Sequence, residues 1–124
     1  MQLTPRRLTT HQKAVLIHVL VTFPDQQVGI RYSGSASDAL GYAEDFLTIF
    51  KAIGWNVEGG VQSETLAREY AGLALVVRDL GSLPPSAEAF RDALRIYGIE
   101  AGTFCDPSCP MSPGGFILTV GPQI

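Results

Sequence analysis

Apolar residues recur along this chain at three different spacings, and the alternation between them lays out the fold. Leu16, Leu20 and Phe23, with Val15 and Val19 beside them, stand at helical spacing. Thr9 precedes them and Gln12 follows three positions later, the spacing of a capping box. Together these predict a first helix of about four turns, stopped at Pro24-Asp25 because proline cannot continue the backbone ladder. Val28, Ile30 and Tyr32 then alternate with Gly29, Arg31 and Ser33, the period of a strand. After a turn of small and polar residues at 33–38, Leu40, Ala43, Phe46, Leu47, Phe50 and Ile53 return to the helical period, and Gly54 is suited to cap that helix.

Trp55-Asn56-Val57 begins a second strand, which the pattern ends at Gly59-Gly60. Positions 62–71 are polar and ambiguous. The continuous run Leu73-Ala74-Leu75-Val76-Val77 suits a strand covered on both faces, and it is the expected central strand. Pro85 opens a further helix with Ala89, Phe90, Ala93, Leu94 and Tyr97 on one face and Gly98 as its cap. Positions 99–104 read as a short strand, 105–114 as irregular because of three prolines, and Phe116 to Val120 as the last strand. The order is α-β-α-β-β-α-β-β. Each of the two strand–helix–strand units spans roughly 30 residues, enough for a parallel crossover. The expected architecture is therefore a single α/β domain over 9–124, a mixed but mostly parallel sheet with flanking helices, preceded by a polar tail at 1–8.

Composition sharpens this only in places. The 124 residues suit one domain with its own core, and no staples are needed at that size. The charged fraction, 17%, lies below the usual value near 25%. The net charge is −3, Lys13 and Lys51 are the only lysines, and Arg6-Arg7 is the only adjacent basic pair. Phosphate contacts need a basic face, so no nucleic-acid partner is expected. The longest apolar stretch, at 14–23, is broken by His18 and Thr22 and falls short of the roughly 20 residues that span a bilayer. Direct membrane insertion is not expected, nor is a signal peptide, and the expected compartment is the cytoplasm.

Several local motifs occur together. They are Tyr42-Ala43-x-x-Phe46, Gly54-Trp55-x-Val57, Gly72-Leu73-Ala74-Leu75-Val76-Val77, Tyr97-Gly98-Ile99 after a proline-led helix, and Val120-Gly121-Pro122. In this order they resemble an uncharacterised family of small bacterial α/β domains, often found at the cytoplasmic end of membrane-anchored proteins. The resemblance runs from about position 9 to 122, and its motifs are structural, none of them catalytic. It implies the fold, a bacterial origin and a partner, which for a chain without a span of its own is recruited without covalent fusion. The Cys/Pro-rich stretch before the last strand departs from the family pattern.

Three constellations bear on chemistry. Ser33, Gly34, Ser35, Ser37 and Asp38 lie between a strand and a helix, where backbone N–H groups favour anions. If both crossovers ran in one direction, the loop at 79–86 would share their edge of the sheet and bring Arg78 and Asp79 nearby. The plainer reading is that Ser35 or Ser37 caps the helix and Asp38 complements its dipole. Neither a G-x-G-x-x-G nor a P-loop pattern is present. Cys105 and Cys109 form a C-x-x-x-C pair, but a tetrahedral metal needs two more ligands. His11 and His18 are about 10 Å apart along one helix and cannot chelate together. No metal and no cofactor are expected. Glu44 and Asp45 are adjacent and point apart, so they make no acid/base pair, and no nucleophile motif is present. The expected function is a noncatalytic binding or protein-interaction domain, with an unknown protein partner, possibly a membrane protein, or self-association. The alternative is a small-ligand site for phosphate or nucleotide built from the loops at 33–38 and 79–86.

Overall fold

A computed structural model of the chain describes residues 7–23, 26–33, 38–63, 72–77, 84–99, 101–105 and 115–121. Helix α1 spans Thr10–Leu20. Its capping box is complete: Gln12 N–H donates to Thr9 Oγ1 at 3.1 Å, and Thr9 N–H donates to Gln12 Oε1 at 2.8 Å. The helix ends at Leu20, short of Pro24. Val19, Val21 and Thr22 are β-branched, and Thr22 Oγ1 bonds back to the Val19 carbonyl at 2.9 Å, a local alternative to the helical ladder. Leu16 and Leu20 are fully buried, as the apolar stripe predicts.

The remaining elements are β1 (Gln27–Tyr32), α2 (Ala39–Ala52), β2 (Asn56–Ser63), β3 (Leu73–Val77), α3 (Pro85–Ile96), β4 (Ala101–Cys105) and β5 (Phe116–Val120). Among the described residues they form one sheet in the order β2-β1-β5-β3-β4. The β1–β2, β1–β5 and β3–β4 pairs are parallel, and β3–β5 is antiparallel. The α/β class, the mostly parallel sheet and the element order thus match the sequence pattern. Two expectations are corrected. The central strand is β5, because the last strand inserts between β1 and β3. β3 is still an interior strand, flanked by β5 and β4, which is why its run is apolar on both faces. Strand β2 does not end at Gly59-Gly60. Val28 pairs with Val57 while Ile30 pairs with Val61, so β2 bulges there, with Gly60 at φ +67°, and resumes.

Both crossover helices end in the same way. After α2, Gly54 sits at φ +79°, Gly54 N–H bonds the Lys51 carbonyl, and Trp55 N–H bonds the Phe50 carbonyl. After α3, Gly98 sits at φ +72°, Gly98 N–H bonds the Arg95 carbonyl, and Ile99 N–H bonds the Leu94 carbonyl. Each is a Schellman ending, which satisfies the last carbonyls and turns the chain back toward the sheet. In the first of them Trp55 also stacks on Phe50, with ring centroids 5.2 Å apart and an interplanar angle of 6°. Trp55 is 4% exposed, and its indole N–H donates to the Phe23 carbonyl at 2.7 Å, which lets this large side chain sit in the core with its polar atom satisfied.

All three helices lie on one face of the sheet. Phe116 of β5 meets both Phe50 of α2 and Phe90 of α3, and Phe46 meets Phe90 edge-on. The main core gathers Leu16 and Leu20 with these rings and with the inward residues Val28, Ile30, Leu73, Leu75, Val77, Leu118 and Val120. Period-2 alternation sends Gly29, Arg31, Ala74, Val76, Gly102, Phe104, Ile117 and Thr119 to the opposite face.

Candidate functional site

The strand directions decide whether the two expected loops can meet. Tyr32, at the carboxyl end of β1, pairs with Val120, and Val120 pairs with Leu73, at the amino end of β3. Ser33 N–H continues this edge by donating to the Val120 carbonyl at 2.9 Å. The segment entering α3 lies at the other edge, where Ser86 Oγ donates to Gln26 Oε1 at 3.1 Å, just ahead of β1. Gln26 and Ser33 are therefore separated by the length of β1, roughly 20 Å. The reason is the antiparallel β3–β5 pair, which reverses the second strand–helix–strand unit relative to the first. The described ends of the two loops, Ser33 and Ser86, thus lie at opposite edges of the sheet.

Of the candidate residues, Ser33 is buried beside Val120 and Asp38 is the N-cap of α2. The Asp38 carbonyl accepts from Tyr42 N–H at 3.1 Å, and its side chain makes no capping bond. A carboxylate there still faces the positive end of the helix dipole. Gly34, Ser35, Ser37, Arg78 and Asp79 lie outside the described residues, as do Cys109 and the Cys105 side chain. Among the described residues no three His, Cys, Asp or Glu side chains gather as a metal site requires. His11 meets the Tyr97 ring edge-on, with centroids 5.9 Å apart.

The strongest polar cluster is one the sequence reading passed over. Asp45 is 3% exposed on the inner side of α2. Arg7 grips it with two bonds, Nε to Oδ2 at 2.8 Å and Nη2 to Oδ1 at 3.0 Å. Leu8 N–H donates to Oδ2 at 3.0 Å, and Lys13 Nζ lies 3.5 Å from Oδ1. Burial alone would raise the pKa of this carboxyl. The Arg7 and Leu8 bonds and the charges of Lys13 and Arg7 outweigh it, and the net direction is down. The Leu8 side chain enters the main core. Arg7 and Leu8, expected in a tail, are thus tied to the domain. A signal was available: Asp45 shares the helical stripe of Tyr42 and Ile49, where an acid requires a partner.

On the sheet face opposite the described helices, Val76 and Ile117 form a second, smaller buried cluster. Phe104 beside them is 40% exposed. A Cβ at Gly102 would stand 3.1 Å from Phe104 Cε2, so the missing side chain is what lets this ring lie back along its strand.

Comparison with protein-family models, with curated proteins and with solved structures finds no match to this chain. The likeness to the bacterial family rests on the sequence motifs alone.

Proposed function

We propose that this chain is a noncatalytic protein-interaction domain that uses the helix-free face of its sheet. The observation that carries the reading is Phe104. The phenylalanines at 46, 50, 90 and 116 are fully buried, whereas Phe104 keeps a substantial part of its surface in solvent beside Val76 and Ile117. A partly exposed aromatic lying against Gly102 supplies contact area at low entropic cost, the chemistry of an interface anchor. On this reading the domain works in a bacterial cytoplasm, and its partner is a second copy or another protein, free or held in a membrane. Among the described residues no helix is long and apolar enough to cross a membrane.

The interaction reading is favoured over the two-loop ligand site by the position of the described loop ends, Ser33 and Ser86, at opposite edges of the sheet. The interaction reading is tested by analytical ultracentrifugation of the full chain over a wide concentration range, alone and with candidate partners, for wild type and Phe104→Ser. Association that weakens in the variant while the fold is kept supports it. Association indifferent to Phe104, or none at all, counts against it.

A further inference from the structure

We infer that Gly41 and Asp45 of α2 form a docking seat for an arginine–aliphatic dipeptide, occupied in this chain by its own Arg7 and Leu8 as a releasable strap. Among the described residues, the charged and backbone partners that hold Asp45 come from one short stretch, Arg7, Leu8 and Lys13. The seat has three parts. The Asp45 carboxylate takes the guanidinium in a two-pronged grip and also takes the backbone N–H of the next residue. Gly41, one helical turn earlier, lies beside the arginine stem: a Cβ there would sit 4.0 Å from Arg7 Cδ and Nη1, at ordinary contact distance. The main core receives the leucine side chain.

The charge, the backbone donor and the apolar side chain are read at three successive points, so the seat specifies a sequence, arginine followed by an aliphatic residue. The strap is held more weakly than the domain is folded. The Arg7 side chain is 64% exposed on its outer side, and solvent screens its half of the pair. Among the described residues of this segment, Leu8 is the apolar side chain that anchors it from within. Such a segment opens locally while the sheet and helices stay intact. Once open, it leaves a carboxylate in a largely enclosed seat with Lys13 as its remaining cation among the described residues, a demand that a matching dipeptide from another chain would meet. This surface is separate from the helix-free sheet face, and the inference does not depend on the role given to Phe104.

Two measurements on the full chain test it. In the first, trypsin cleavage between Arg7 and Leu8 is followed by mass spectrometry, with Trp55 fluorescence as the monitor of the fold. Asp45→Asn, which keeps the shape and removes the charge, is expected to speed that cut several-fold with native fluorescence unchanged. A cut equally slow in the variant would overturn the strap. In the second, a synthetic peptide of residues 5–10 is titrated at millimolar concentration and the amide signals of Gly41 and Asp45 are read by NMR. They are expected to shift in Arg7→Ala/Leu8→Ala, to shift little in wild type, where the seat is occupied, and to stay still when Asp45→Asn is added. Should the double variant fail to fold, Arg7→Ala alone takes its place. Equal shifts in wild type, or none in a folded strap variant, would overturn the seat.

Discussion

The two faces of the sheet are built from the same strands and do different work. Toward the helices, β5 presents Phe116, Leu118 and Val120 to a core of interlocked rings and aliphatic side chains. Away from them it presents Ile117 and Thr119, and only Ile117 with Val76 makes a cluster there. The first face carries the bulk of the buried apolar surface and therefore most of the hydrophobic stabilisation. The second has small residues at Gly29, Ala74 and Gly102 and leaves Phe104 partly in water. Both faces of β5 and β3 are buried, and Phe104 of β4 is where the second face reaches solvent among its large apolar residues that are described.

The largest effects should come from the helix side. Leu118→Ala is expected to cost about 4 kcal/mol, whereas its neighbour Ile117→Ala should cost about 2, toward the low end for emptying a buried site. Chemical denaturation of both variants checks this, and equal losses would show that the second face is as much a core as the first. Smaller effects come from the helix endings. Gly54→Ala and Gly98→Ala should each cost about 1 kcal/mol, because a side chain at positive φ is strained even where space is free. Nothing lies within 4 Å of a Cβ at either site, so the two losses should be equal, and unequal ones would mean that the two crossovers are not built alike.

A further effect is set by pH. The folded-state pKa of Asp45 is lowered, so the stabilisation from the Arg7 and Leu8 contacts is present above the ordinary carboxylate value. It is lost as pH falls below about 4. Thermal unfolding of wild type should therefore weaken faster between neutral and acid pH than that of Asp45→Asn. Identical pH profiles would remove Asp45 from the account.

Much of the fold was legible because its determinants are local. Thr9 with Gln12, Gly54, Pro85 and Gly98 mark helix boundaries by backbone chemistry that needs no tertiary partner. The place of β5 was not legible: Phe116 to Val120 reads as a strand, but nothing in its residues says that it inserts between β1 and β3, or that β3 opposes it. That one antiparallel pairing is what took the described loop ends, Ser33 and Ser86, to different edges. The bulge at Gly60 was hidden for a similar reason, since two glycines look the same whether a strand ends or bends. The Asp45 site went unseen because its partner Arg7 is 38 residues away in a stretch that reads as a tail.

The measurement that tests the central claim most directly is the comparison of wild type with Phe104→Ser by analytical ultracentrifugation, with circular dichroism and chemical denaturation on the same samples. Because Phe104 lies on the face that contributes least to the core, its loss should change stability by about 0.5 kcal/mol or less, the usual range for a surface substitution. Association with a second copy or a protein partner should fall sharply. Unchanged association together with a large loss of stability would contradict the account, because it would make Phe104 part of the core and leave the helix-free face without a role in binding.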